Sequence, residues 1–201
     1  MSEATDSTGV HLASDEEIQR ARVDEVIPHN APIILAEYDP RWPAMFEHEA
    51  VRIRAALGDS AILIEHAGST SVPGLAAKPI IDIVLAVPDS ADEPSYVPLL
   101  EAAGYVLRAR EPDWYEHRMF KGPDTDINLH VFSAGCTEIN RMLLFRDWLR
   151  ANGADRDAYL QVKQDLARRT WRHVQHYADS KTAIVQEIVA RATAASRADP
   201  R

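Results

Sequence analysis

Cysteine is nearly absent from this chain of 201 residues, since Cys136 is the single example. One thiol excludes an intramolecular disulfide and any zinc site built from several cysteines. Long apolar runs are missing as well, because no stretch approaches the roughly 18 consecutive apolar residues that a membrane-spanning helix needs. The first residues are polar and acidic, unlike a secretory signal. We therefore expect a cytoplasmic protein.

Positive charge is in deficit, with 22 lysines and arginines against 31 aspartates and glutamates, a formal net charge of -9. A net negative chain repels the nucleic-acid backbone and anionic membranes. We therefore expect a small-molecule or nucleotide substrate and no membrane partner, and we expect no nucleic acid unless a local basic groove overrides the net charge. The 46% hydrophobic and 26% charged fractions are typical of a globular protein whose length suits one domain.

Apolar residues are sparse at the start of the chain, which favours a flexible tail that is disordered over residues 1–13. Ser14 followed by Glu17 is a capping-box pattern and predicts a short helix over 15–26. The chain divides into three parts, namely a flexible tail over 1–32, a single domain over 33–196 and a frayed end over 197–201.

The hydrophobic periodicity of the remainder alternates between helical and extended patterns. It predicts helices over 43–57, 92–103, 138–151, 155–173 and 177–195. It predicts an edge strand over 33–37 and further strands over 61–66, 79–87, 105–110, 114–121 and 126–133. This order indicates an α+β or mixed α/β domain, with a mixed sheet flanked by helices and a helical C-terminal third.

Asp82 interrupts the apolar strand predicted over 79–87. Burial of a lone carboxylate costs several kcal/mol unless the group is paired, hydrogen-bonded or bound to a cation. Asp82 therefore either reaches a cleft, where it can carry chemistry, or accepts structural hydrogen bonds from a loop. Strand alternation places Ile80, Asp82 and Val84 on one face.

A turn of small residues, Gly68-Ser69-Thr70, follows the strand predicted over 61–66. Small residues after a strand let backbone N–H groups approach an anion, and the hydroxyls add further donors. Many such turns bind nothing. The position of this one, about a dozen residues before Asp82, makes phosphate binding the more specific interpretation.

Three histidines, His66, His117 and His130, lie in predicted strands near the same stretch. With Asp82 they could form a ligand set, or a general base oriented by a carboxylate. Each could equally be a half-buried polar residue bonded to the backbone. The catalytic interpretation gains if His117 and His130 are cross-strand neighbours that face Asp82.

Basic side chains flank the stretch too, since Lys78 precedes the Asp82 strand while Arg118 and Lys121 follow on a predicted hairpin. Any of them can neutralise a phosphate or a carboxylate. The other interpretation is a solvated surface charge, and we adopt it for Lys121.

The arrangement of a strand, a Gly-Ser turn, a short loop and a strand aspartate resembles the core motif of the nucleotidyltransferase superfamily. The string EHAGSTSVPGLAAKPIIDI over 65–83 resembles the signature of the GrpB family within that superfamily. Supporting matches lie at 38–43, 128–132, 144–150, Tyr177 and Lys181, so that the resemblance covers about 37–195. It implies a nucleotidyltransferase-like mixed sheet.

The resemblance also implies a function, the transfer of a nucleotidyl group from a nucleoside triphosphate to a small acceptor. Catalysis would fall to Asp82, His130 and His117, with Asp82 and His130 binding a divalent metal, Mg²⁺ or Mn²⁺. The residues implied to bind phosphate or substrate are His66, Gly68, Ser69, Thr70, Lys78, Arg118, Asn128 and Lys181.

The sequence departs from the superfamily motif at Val84, where a second aspartate is expected, and at Asn128. Mg²⁺ prefers oxygen ligands, so one carboxylate with imidazoles suits a transition metal better, or no metal. Two alternatives therefore stay open. The first is a degenerate ligand- or partner-binding module, for example one assisting the coenzyme A biosynthesis kinase to which this domain is fused in some bacteria. The second is a His/Asp acid–base enzyme without a nucleotide.

Overall fold

A five-stranded mixed sheet lies at the centre of the structure, a computed structural model that describes residues 11–198. The strands are β1 (Leu63–Ala67), β2 (Ile81–Val87), β3 (Val106–Glu111), β4 (His117–Lys121) and β5 (Ile127–Ser133). Their order across the sheet is β1-β2-β5-β4-β3. β2 and β5 are parallel, and the other neighbouring pairs are antiparallel. The predicted mixed sheet is confirmed.

Helices flank this sheet and make up most of the C-terminal third, as predicted. They are α1 (Asp15–Ala21), α2 (Trp42–Leu57), α3 (Val97–Ala102), α4 (Thr137–Ala151), α5 (Gly153–Ala167), α6 (Val174–Asp179) and α7 (Thr182–Ala198). Helix α2 buries Trp42, Ala50, Ile53 and Leu57 at helical spacing and ends at Gly58, whose φ of 55° favours glycine.

Long-range backbone pairing ends two of the predicted helices early, and one predicted strand is nearly absent from the structure. The helix predicted over 155–173 stops at Ala167, and Trp171 then donates its backbone N–H to the Ala31 carbonyl at 3.2 Å. The helix predicted over 15–26 stops at Ala21, after which the backbone pairs with β3. The predicted edge strand over 33–37 is reduced to one isolated bridge between Ala36 and Ala77.

The two faces of the sheet are covered differently. On one face Ile83, Leu129 and their neighbours pack against α2 and α3 in the largest core cluster. On the other face Ile139 of α4 covers only the half that holds Val84 and Phe132. The other half of this face, at the start of β2 and β5, carries Asp82, Asn128 and His130 and borders a cavity.

Residues 11–34, here called the N-terminal arm, cross this cavity from the β3 edge to α6. At one end the Val23 N–H donates to the Arg108 carbonyl at 3.0 Å, and at the other the Ala13 N–H donates to Asp179 Oδ2 at 3.0 Å. The arm contains α1 with the predicted capping box of Ser14 and Glu17. The disordered tail predicted over 1–13 and the frayed end predicted over 197–201 lie largely outside the described residues.

Candidate functional site

A cavity of about 1020 Å³ lies between the uncovered half of the sheet, the turn after β1, the C-terminal helices and the N-terminal arm. It brings together nine of the residues that the sequence singled out. These are Gly68, Ser69, Thr70, Lys78, Asp82, His117, Asn128, His130 and Lys181.

Asp82 points from β2 into this cavity with 27% of its side chain exposed. The parallel register places Asn128 beside it, and Asn128 Nδ2 donates to Asp82 Oδ1 at 2.8 Å. His130 Nε2 lies 3.7 Å from the same oxygen. Burial raises the pKa of Asp82, but hydrogen bonding and nearby positive charge, including the Asn128 amide and the Lys78 ammonium group, outweigh burial and hold that pKa below its usual value. Asp82 is therefore an ionised acceptor in the cavity wall.

Gly68 begins the turn that passes over Asp82. Its φ of 64° lies in the left-handed region, and a Cβ at this position would overlap Asp82 Oδ2. The Ser71 hydroxyl donates to the Gly68 carbonyl at 2.6 Å and fixes the turn. Glycine is therefore needed both for the backbone conformation and for the close approach to Asp82.

His66 and Arg118 do not border the cavity, because both project from the opposite face of the sheet. His66 is 5% exposed, stacks on Phe46 and shares a 3.0 Å hydrogen bond with the Thr70 hydroxyl. Burial lowers the pKa of His66 to about 4. Arg118 donates to Glu93 Oε1 at 2.6 Å. Both residues hold neighbouring segments in place.

All four lysines of the chain, Lys78, Lys121, Lys163 and Lys181, border this one cavity. The other basic residues are arginines, and among those in the described range Arg22 alone borders it. Sequence reasoning missed Lys163, which α5 brings in from a distant part of the chain. The composition could have indicated it, because lysine is much rarer than arginine in this chain.

Three of these ammonium groups have no acidic partner in the described part of the chain. Lys121 pairs with Asp126 at 2.6 Å, but no carboxylate lies within 4.0 Å of Lys78, Lys163 or Lys181 there. Lys163 Nζ donates to the Ala76 carbonyl at 2.6 Å, and Lys181 Nζ lies 4.6 Å from the Tyr177 ring centre. Asp82 is thus the main counter-charge to three cations.

Burial lowers the pKa of each of these three lysines, and neighbouring ammonium groups lower it further for Lys78 and Lys163. The pKa falls to about 8 for Lys78 and for Lys181, and to about 7 for Lys163. Asp82 opposes the effect in all three cases. The protonated forms therefore lack the compensating charge that a bound anion would supply.

The other acidic groups on the cavity wall already have partners. The Asp126 carboxylate accepts from Lys121, that of Glu111 from His117, and that of Glu17 from the Ser14 backbone N–H. Asp126 raises the pKa of Lys78, but less than Asp82 does.

His117 and His130 are linked to each other on the cavity side of the sheet. His117 Nε2 lies 3.0 Å from His130 Nδ1, and His117 Nδ1 lies 2.7 Å from Glu111 Oε2. The side chains thus form a continuous chain from Glu111 to His130, whose far nitrogen faces Asp82. Glu111 was not among the residues that the sequence singled out.

The donor set around Asp82 does not fit a Mg²⁺ or Mn²⁺ pair. Val84 occupies the position of the expected second aspartate and is fully buried against Phe132 and Ile139. Residues 11–198 contain no group of three or more histidine, cysteine, aspartate or glutamate side chains arranged to hold a metal ion. Asn128 turns its NH₂ group toward Asp82, where a metal would require an oxygen. The divalent metal stays a prediction from the resemblance.

None of the helices between residues 11 and 198 is both long and apolar enough to cross a lipid bilayer.

Comparisons with known proteins point to one family. The family model described as GrpB protein matches residues 32–191. A UPF0157 protein of Halalkalibacterium halodurans is 66% identical over 189 residues, which cover 94% of this chain and 97% of that protein. The crystal structure of the conserved protein GrpB from Enterococcus faecalis matches with a TM-score of 0.71 and 32% identity. That match covers 81% of this chain and 98% of the other.

A partial match links the same region to a longer protein. The dephospho-CoA kinase of Mycobacterium tuberculosis is 34% identical over 179 residues, covering 75% of this chain but 44% of that protein. The chain therefore corresponds to somewhat less than half of that kinase.

Proposed function

The chain belongs to the GrpB family, and we propose that its cavity binds a nucleotide through the phosphate groups. The observation that carries the proposal is the gathering of all four lysines around one cavity, in a chain of net charge -9. Three of them face Asp82, and among residues 11–198 no carboxylate lies within 4.0 Å of any of the three, an arrangement that attracts a multiply charged anion. The family resemblance favours a nucleoside triphosphate among such anions.

The phosphate contacts follow from the positions of the donors. Lys78 and Lys181 both contact the Tyr177 ring, with ammonium nitrogens 5.8 and 4.6 Å from its centre, and both line the cavity. Ser69, in the turn after β1, adds a residue with a hydroxyl to the lining of the same cavity. An anion held by these groups raises the pKa of the lysines and is bound together with protons.

The proposal extends to nucleotidyl transfer to a small acceptor. In such a reaction negative charge must be neutralised on the phosphate that is attacked and on the diphosphate that leaves. Ammonium groups can supply this stabilisation. The lysines would therefore take over part of the role that a metal bound by a second carboxylate plays in related enzymes.

A binding module without catalysis is the second candidate, and two observations favour it. Val84 is buried in the core where the second carboxylate is expected, and the chain matches only part of a dephospho-CoA kinase. In this case the protein binds its ligand or a kinase partner and releases no diphosphate from any nucleoside triphosphate.

Thermal shift of the purified protein tests the binding proposal. ATP, GTP, CTP and UTP are each added with EDTA, Mg²⁺ or Mn²⁺, using wild type, Lys181→Gln and Lys121→Gln. A ligand that binds only the folded state raises stability by about 2.7 kcal/mol at a hundred times its dissociation constant. We expect a shift with at least one nucleotide even in EDTA, largely lost in Lys181→Gln.

The control, Lys121→Gln, removes a charge that Asp126 already neutralises and should reduce the shift much less. Equal losses in the two variants, or no shift with any nucleotide, would overturn the proposal.

A further inference from the structure

We propose that His130 is a general base in the cavity, with its Nε2 lone pair held toward the ligand by a hydrogen-bond chain through His117 to Glu111. The inference deepens the proposed function and rests on it for the identity of the ligand. His130 is the group that contacts the ligand, and His117 and Glu111 are positioning residues.

The chain of hydrogen bonds starts at Glu111. An ionised carboxylate can only accept, and Glu111 Oε2 lies 2.7 Å from His117 Nδ1, so Nδ1 must carry the proton. Burial lowers the pKa of His117, which favours the neutral ring. A neutral imidazole protonated at Nδ1 presents a lone pair at Nε2.

The next link passes from His117 to His130. The lone pair of His117 Nε2 lies 3.0 Å from His130 Nδ1, which therefore donates. The two rings are inclined by only 21°, with centres 5.2 Å apart. An N–N distance of 3.0 Å is shorter than stacked rings allow, so the rings meet edge to edge, in the orientation of an in-plane hydrogen bond.

His130 Nε2 is then left with its lone pair. It lies 3.7 Å from Asp82 Oδ1, beyond the range of a hydrogen bond, and the side chain is 22% exposed on the cavity wall. Asp82 does not form a hydrogen bond with this nitrogen, but it lies close enough to stabilise a positive charge on it. This is the arrangement of a base, an orienting partner and a nearby carboxylate.

Packing holds the chain in place before any ligand arrives. The His117 side chain is 4% exposed, and its ring contacts Phe132 and Trp114 at centre distances of 4.7 and 5.0 Å. His117 and His130 also stand on adjacent strands of fixed register. The orientation of the His130 ring is therefore set by the sheet.

The chemistry that this arrangement supplies is removal of a proton from a hydroxyl of the acceptor. The O–H bond breaks, the proton joins Nε2, and the electron pair stays on oxygen, while Asp82 offsets the imidazolium charge. The oxygen forms a bond to the α-phosphorus of the nucleotide. The bond from that phosphorus to diphosphate breaks, and diphosphate leaves with the electron pair.

Nitrogen NMR of the ¹⁵N-histidine-labelled protein tests the inference without any ligand, so the result does not depend on nucleotide binding. At about pH 8, where an ordinary imidazole is neutral, we expect wild-type His130 to be protonated at Nδ1. His130→Gln identifies its signals. In His117→Phe the acceptor for Nδ1 is lost, and the ring should shift largely to the form protonated at Nε2.

Glu111→Ala is the second variant, because its side chain is 37% exposed and its loss leaves the His117 ring in the core. Without the Glu111 carboxylate, His117 is no longer held in the form protonated at Nδ1. The fraction of His130 that is protonated at Nδ1 should therefore fall. Wild-type His130 protonated at Nε2 would overturn the inference. So would an unchanged proton position in both variants.

Discussion

At the scale of single residues, the site depends on the fit between Gly68 and Asp82. The carboxylate would meet any side chain at position 68, and the φ of 64° disfavours any residue but glycine. Two independent constraints therefore act on one residue. They link the shape of the turn to the position of the charged group in the cavity.

Gly68→Ala should destabilise the protein by about 2–4 kcal/mol, the left-handed conformation and the overlap with Asp82 each costing about 1–2 kcal/mol. Urea denaturation measures the loss. Gly74→Ala is the matched control, because its φ is 78° but nothing lies within 4 Å of an added Cβ. It should lose only the conformational part, and equal losses would contradict the close packing on Asp82.

Asp82 and the Gly68 turn could be proposed as site residues from the sequence because each stands out from its immediate neighbours in the chain. A carboxylate in an apolar strand and a small-residue turn after a strand are local signals. By contrast, alternation along β1 tells which residues share a face with His66 but not which face of the sheet borders the cavity. Lys163 and Glu111 join the site through packing and register that no local pattern contains.

At the scale of elements, α4 fastens the turn after β1 to the sheet. Arg150 donates twice to the Ser71 carbonyl, at 3.0 and 2.8 Å. Arg146, 8% exposed, donates to Glu65 Oε2 at 2.7 Å and to the His66 carbonyl at 3.0 Å. Two guanidinium groups on one helix thus hold the backbone on either side of Gly68.

Arg150→Ala should loosen the turn by about 1–2 kcal/mol, because two hydrogen bonds from a charged group are lost. Hydrogen exchange followed by mass spectrometry should show faster exchange over 69–72, by about 5- to 30-fold, with β2 unchanged. Arg168→Ala is the control, since its side chain is 76% exposed and pairs with the exposed Asp165. No acceleration in Arg150→Ala would show that the turn holds its own shape.

Helices and strands were predictable where the spacing of apolar residues within one segment determines the structure, as for α2 and for the apolar run that forms β2. The end of α5 and the short helix α6 were not, because the backbone of Trp171 is engaged by Ala31, 140 positions earlier in the chain. Such pairing overrides helical propensity, and a single sequence carries no mark of it.

At the scale of the whole molecule, stability and ligand binding are coupled through the lysines. The folded pKa values of Lys78, Lys163 and Lys181, about 8, 7 and 8, lie below the usual 10.5. Between about pH 7 and 9 the unfolded chain therefore holds more protons than the folded one. The penalty for protonating these groups is full below their folded pKa values, declines as the pH rises above those values, and is gone only above the unfolded value of 10.5.

The free energy of unfolding should accordingly rise as the pH increases from about 7 to 9. Urea denaturation across this range, with and without inorganic tripolyphosphate, measures it. Lys163→Met removes one of the buried cations and should flatten the rise. A slope of the opposite sign, or one unchanged by Lys163→Met, would contradict the account.

The central claim, that unpaired lysines bind the phosphates, is tested most directly by the protons taken up on binding. Calorimetric titration with ATP in EDTA, at about pH 8 and in two buffers of different ionisation enthalpy, yields their number. Lysines whose pKa values lie near 7 and 8 when the cavity is free of ligand must gain protons when phosphate arrives. The account predicts a net uptake that falls in Lys181→Gln, and binding with no uptake, or with release of protons, would contradict it.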